Sequence, residues 1–421
     1  MTKFRSRLAA MAAACVALGM TVAGCGSSSG GSESGPITLT VYSWKGNAAT
    51  PEDVPQINAA FEKAYPNIKL NFQFLSAGAT IAQKLQPEFL AGDAPDVFMT
   101  DPTTMRQYQK DGYLADLSDQ SWVSDLTGAI KPFVTVSGKT YAAPLDLVPI
   151  GLFANMGILK QAGITSFPTT NTELLADLKT LKSKNLPGLE VPDKGGYTSE
   201  AIINGVASTL VYKQNKNWDA DYVAGKVDFS DWTSSVEQFN DLGTSGLVDF
   251  KDGLGVDEWG QGVQDFEAGK TAFLYQGAWN LTSFVKAQPS TQFGPWAGDD
   301  SSQQWGTVFA GVNWSVNAAS SHLDAAEKYV RFWTQAENLI GYLKADAGYS
   351  PYTNGTSPTS AADALETKAF NAGAYRILGA DSWFTGANET TMGTDVQSLM
   401  LGQITPSALT AKWTQEFKTS K

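Results

Sequence analysis

One histidine, two cysteines and 42 carboxylates are the whole inventory from which this 421-residue chain could build a catalytic centre. His322 follows Ser320-Ser321 at what reads as a helix start, a solvated position unsuited to a buried base, so Ser-His-Asp chemistry and histidine metal sites lack support. Cys15 lies in the leader, which leaves Cys25 without a disulfide partner. No GxxxxGK[ST] loop occurs, so nucleotide hydrolysis would belong to another protein. Paired carboxylates remain, and a glycoside-acting enzyme is the strongest catalytic reading they allow.

The aromatic residues point elsewhere. Among twelve tryptophans, Trp44, Trp279, Trp296, Trp305 and Trp383 stand in glycine-rich or polar surroundings, unlike core positions. A sugar ring offers an apolar C–H face and an equator of hydroxyls, and flat aromatic rings bordered by Asp, Asn, Gln and Lys match both. Trp122, Trp232, Trp333 and Trp413 fall among charged or helix-spaced residues and read as packing, while Trp218 and Trp259 stay undecided.

The elements that must position these residues follow an α/β pattern. Segment 37–44 (ITLTVYSW) has the content of a buried strand and ends in Trp44-Lys45-Gly46-Asn47. Val54, Ile57, Phe61 and Tyr65 repeat at helical spacing up to Pro66, and Ile68, Leu70, Phe72 and Phe74 then alternate as a half-exposed strand. A second helix carries Ile81, Leu85 and Phe89, with Pro87 kinking or interrupting it, before the strand Val97-Phe98-Met99 and Asp101. This β-α-β-α-β order predicts a parallel sheet with right-handed crossovers and places Trp44 and Asp101 beyond strand ends at one edge. Segment 269–280 (GKTAFLYQGAWN) reads as a short buried strand with Trp279 just past its end, where open α/β sheets hold ligands.

At the N-terminus, Lys3, Arg5 and Arg7 precede an apolar stretch from Leu8 to Val22, the build of a secretory signal. Val22-Ala23-Gly24-Cys25 is similar to a bacterial lipobox, which would make Cys25 the lipidated first residue after removal of 1–24. Residues 25–36 then form a flexible tether, and nothing later is apolar enough to cross a membrane. A net charge of −12, made more acidic still by loss of the leader, repels nucleic acid and favours neutral or cationic partners. Asp299-Asp300-Ser301 could take calcium, with a solvated turn as the simpler reading.

Six runs in order resemble extracellular solute-binding proteins of family 1, the maltose-binding-like group: 61–68 (FEKAYPNI), 90–97 (LAGDAPDV), 138–144 (GKTYAAP), 269–279, Ala318-Ala319-Ser320 with the helix after it, and 402–409 (GQITPSAL). The resemblance implies an α/β, two-lobed periplasmic-binding-protein type II fold, each lobe a mostly parallel sheet flanked by helices, joined by about three crossovers. Lobe one would comprise 37–145 and 296–346, and lobe two 146–295 and 347–421. It further implies a monomeric receptor of an ABC importer, without a cofactor, held by its lipid on the outer face of the cell membrane. Such a receptor captures a neutral oligosaccharide between its lobes and delivers it to a permease. A cell-surface glycan-binding lipoprotein is the other non-enzymatic alternative. Carried over by position, the expected ligand-binding residues are Tyr197, Trp279 and Trp383 in lobe two and Trp44, Lys45 and Asp101 in lobe one. Asn313 would lie on a lobe-one strand reaching the cleft, Tyr352 beside the last crossover, and Asp146 at the first, as ligand contact or as a hinge carboxylate satisfied by backbone N–H groups.

Overall fold

A computed structural model describes residues 35–47, 52–75, 78–379, 383 and 385–417. The leader and Cys25 therefore lie outside the described residues, and the folded unit begins at Ile37. Its strands are β1 (Ile37–Ser43), β2 (Ile68–Phe74), β3 (Val97–Thr100), β4 (Thr135–Val136), β5 (Lys139–Thr140), β6 (Ala143–Pro144), β7 (Leu147–Asn155), β8 (Leu189–Glu190), β9 (Phe273–Gly277), β10 (Thr291–Gly294), β11 (Gly306–Ala310), β12 (Asn313–Val316) and β13 (Tyr375–Leu378). Two main sheets result. One runs β2-β1-β3-β12-β6, the other β13-β11-β7-β9-β8 with β10 also on β7.

The first sheet follows from the sequence pattern. β1 is parallel to both β2 and β3, and β2, with its alternating apolar residues, is the edge strand that exposes one face. The helix Val54–Ala64 buries Val54, Ile57 and Phe61, and Phe61 meets Tyr329 edge to face at 5.1 Å. The helix Gly78–Ala91 runs through Pro87 without a break.

The second sheet is mixed, where a mostly parallel one was expected. β7, fully buried along its nine residues, runs antiparallel to β9, β10 and β11. Because β7 arrives straight from the first sheet and not through a local β-α-β unit, no crossover rule sets its direction.

The lobe boundaries differ from expectation in two places. β11 pairs with β7 and β13, and Trp296 and Trp305 are buried in the second lobe's core, so the return to lobe one falls at Gly311-Val312 and not at 296. Tyr349 and Tyr352 remain in the first lobe's core, and Thr353 N–H donates to Asp125 O, so the last passage lies beyond these residues and not at 346. Among the described residues no helix is long and apolar enough to cross a membrane.

Candidate functional site

Three neighbouring rings of lobe two, Trp259 exposed and Tyr197 and Trp279 half-buried, form the candidate site. Tyr197 opens the helix Tyr197–Ala207 behind Gly196, which takes a left-handed φ of 87° that glycine adopts without strain. Trp259 follows Glu258 in a loop, and Trp279 sits in the tight turn Ala278–Asn280 directly after β9. The Tyr197 and Trp259 centroids are 4.6 Å apart with planes at 39°, and those of Trp259 and Trp279 are 6.2 Å apart at 34°. Trp259 is 54% exposed and lies against the half-buried Tyr197 and Trp279, so the exposed ring is one of a contiguous group.

The loop behind Trp259 is tied down. Asp257 Oδ1 accepts from the N–H groups of Trp259 (3.2 Å) and Gly260 (2.6 Å), an Asx turn. Glu258 Oε2 accepts from Gly195 N–H at 3.0 Å, and Gln276 of β9 donates to the Glu258 carbonyl at 3.2 Å. Tyr197, Trp259 and Trp279 are thereby referenced to one strand, which keeps the rings preorganised.

Lobe one supplies polar groups at the facing edge. Because β1 and β3 are parallel neighbours, Trp44 and Asp101 leave the sheet at the same end. Asp101 caps the helix Pro102–Lys110, with Oδ1 accepting from Thr104 N–H at 2.8 Å and Oδ2 from Thr104 Oγ1 at 2.7 Å. Glu389, in the first turn of the lobe-two helix Gly386–Met400, lies near enough to Asp101 to feel its charge. Burial first, and then Asp101, push the Glu389 carboxyl up to about 7. Burial and the Glu389 charge likewise hold Glu200 well above the usual carboxylate range, and burial lifts Asp193 to about 7 against its bonds from Ser199. Arg106 of lobe one meets Gly379 O of lobe two at 3.4 Å. The arrangement sets aromatic rings in the same lobe as Glu389, a half-buried carboxyl able to hold a proton near neutrality, while Glu200 and Asp193 are buried beneath the surface.

Several expected ligand residues lie elsewhere. Trp383 is fully buried among Phe229 (5.1 Å), Tyr222 (5.7 Å) and Trp218 (6.0 Å), and its Nε1–H donates to Asp219 Oδ1 at 3.0 Å, so it is core and not platform. Asn313, the first residue of β12 and paired with Thr100 beside Asp101, is buried and donates to Thr100 O at 3.3 Å. Its neighbour Trp314 is buried too, because this central strand is covered on both faces. Tyr352 spends its hydroxyl on Pro144 O at 2.8 Å and packs its ring against Trp122. Asp146 is the hinge carboxyl of the two readings, accepting from Val312 N–H at 3.1 Å. Lys45 is committed to ion pairs with Asp346 (2.5 Å) and Glu52 (3.4 Å). Asp299 and Asp300 bind Ser301, Lys213, Gln304 and Thr172, and among the described residues no acidic group of three is arranged for a metal.

Two site residues were not singled out by sequence. Trp259 carried the same signal as Trp279, a ring between polar residues and a glycine. Glu389 carried none, since its approach to Asp101 depends on how the lobes meet.

A model of the bacterial extracellular solute-binding protein family matches residues 46–340. The chain belongs to that family. It is 26% identical over 316 residues to the diacetylchitobiose binding protein DasA of Streptomyces coelicolor, covering 73% of this chain and 72% of that one. It is 26% identical over 300 residues to the multiple sugar-binding protein of Streptococcus mutans, covering 68% and 69%. Among solved structures, a chitin oligosaccharide binding protein superposes with a TM-score of 0.74 at 20% identity, over 91% of this chain and 98% of that one. A Bacillus licheniformis sugar transporter in complex with stachyose superposes with a TM-score of 0.67 at 24% identity, over 91% and 100%. At these identities the structural likeness establishes the two-lobed fold.

Proposed function

We propose that this protein is the carbohydrate receptor of an ABC importer, taking a neutral oligosaccharide into the cleft and presenting it to a membrane permease. The observation that carries this reading is the run of Tyr197, Trp259 and Trp279, three adjoining rings that fit successive sugar units better than one. Asp101 and Glu389 serve as hydrogen-bond partners for hydroxyls from the two sides. The names of the sugar-binding relatives support the same class of cargo.

Closure draws its energy from contacts the ligand makes to both lobes, because only differential affinity shifts an equilibrium between open and closed forms. Cys25, lipidated, anchors the receptor at the outer face of the membrane, where it works as a monomer. The test is a thermal-shift screen against raffinose-type, malto- and chito-oligosaccharides. Ligand at ~100 times its Kd stabilises by about 2.7 kcal/mol, and a response to one series names the cargo. No response to any series, or release of new reducing ends during incubation, overturns the reading.

A further inference from the structure

The passages between the lobes converge on one carboxyl. Leu145 N–H donates to Val312 O at 2.9 Å and Gly311 N–H to Asp146 O at 3.3 Å, which joins the first passage to the second. Leu147 and Tyr349 exchange both backbone bonds, at 2.9 and 2.8 Å, which joins the first to the segment that leads into the third. The Asp146 side chain fills the space between. A Cβ on Gly311 would lie 1.6 Å from Asp146 Oδ1, and one on Gly348 would lie 2.9 Å from Asp146 Cβ.

The charges at this point do not balance. Lys45 is the one cation facing Asp146, Asp346 and Glu52 among the described residues, and it is committed to Asp346 and Glu52. Asp146 and Asp346 are each 1% exposed. With both ionised, Oδ2 of Asp346 has no donor among the described residues, and the buried Tyr342 hydroxyl is the one neutral side-chain donor beside Asp146 there. Two adjacent buried carboxylates facing one ammonium are far costlier than one carboxylate and one acid.

We propose that Asp146 and Asp346 share one proton, and that this proton is the clasp holding the first two interlobe passages and the approach to the third in their present arrangement. The proton on Asp146 gives the pair a donor, leaves Asp346 as the anion for Lys45, and lets Asp146 Oδ1 keep its bond from Val312 N–H. Burial raises Asp146 well above the usual range, the negative charge of Asp346 adds to it, and Lys45 is raised by Asp346, all in the sense this sharing requires. The clasp also reaches the ligand platform. Asp346 ends the helix Ala336–Asp346, which packs on the turn holding Trp279, and Thr282 of lobe two donates to Ala345 O at 3.5 Å. Loss of the proton adds a second buried negative charge, which is relieved by admitting water between the passages and loosening the hinge.

The sign follows from linkage. An acid whose pKa is raised on folding lends stability that is complete below its unfolded value of 3.8 and is lost as pH rises through the folded value. Asp146→Asn carries a permanent N–H donor in place of the shared proton and preserves the acceptor for Val312. The experiment follows unfolding midpoint and small-angle scattering radius of the unliganded protein from about pH 5 to about pH 9, for the protein and for Asp146→Asn. Glu200, Glu389, Asp193 and Glu366 titrate in both proteins, so the difference between the two is read. The proposal expects the unsubstituted protein to lose several degrees relative to the variant as pH rises and to expand while the variant keeps its radius. A difference constant across pH overturns the shared proton. A falling midpoint at constant radius overturns its role in holding the lobes. Asp346→Asn separates this from a general loss of polarity: it takes away the anion of Lys45 and lowers the midpoint at every pH.

Discussion

The indole of Trp279 lies against the backbone of Gly277, in space that a side chain there would need: a Cβ on Gly277 would stand 2.2 Å from ring atom Cη2. Gly277 has φ −76° and ψ 151°, an ordinary extended conformation, so the glycine is required by the ring and not by the backbone. Gly277→Ala therefore displaces Trp279 from the platform without touching a ligand. The expected cost is about 1.4 kcal/mol of binding, ~10-fold in Kd by titration calorimetry, with the unfolding midpoint changed far less.

Removing a platform ring acts directly. Trp259→Ala and Trp279→Ala are each expected to weaken oligosaccharide binding by ~10- to 100-fold, about 1–3 kcal/mol, in the manner of other lost aromatic stacks. Trp259 is the sharper test because its exposure makes the folded state indifferent to its loss. Unchanged affinity in both variants removes the site from these rings.

Trp383→Ala is expected to behave in the opposite way. The ring is fully buried against Phe229, Trp218 and Phe417, and its truncation leaves a cavity costing about 3–5 kcal/mol of stability. Denaturant unfolding should show that loss, while the protein that remains folded binds with unchanged affinity. A variant of normal stability and weak binding would return Trp383 to the cleft.

Glu366 provides a stability test remote from the rings. It is fully buried, neither carboxyl oxygen has a partner among the described residues, and burial lifts it from 4.5 to about 8. A raised acid stabilises fully below its unfolded pKa, so the contribution is lost between about pH 4.5 and about pH 8. Glu366→Gln is expected to match the parent near pH 5 and to exceed it by about 2–4 kcal/mol near pH 9 in urea unfolding. Equal pH dependence in the two proteins counts against a neutral Glu366.

Local pattern reached far into the first lobe. The helix through Val54, Ile57 and Phe61 and the edge strand β2 are set by spacings of three to four and of two within a few residues, and the structure holds both. The direction of β7 and the lobe to which β11 belongs were not legible, because each depends on a partner strand far away in the chain. Trp383 misled for a related reason. A tryptophan in a polar stretch is buried or exposed according to what docks on it, and here Tyr222 and Phe229 come from a segment more than a hundred residues earlier.

By itself the sequence determined the family, the α/β class and the strand ends carrying Trp44, Asp101 and Trp279. Those properties rest on residue identity and short-range spacing. Only the tertiary structure decided that Trp259 joins Tyr197 and Trp279, that Glu389 comes near Asp101, and that Lys45 pairs with Asp346 beside the buried Asp146. Each of these pairs segments distant in sequence, and burial and Coulomb interaction depend on distances in space that no local pattern encodes.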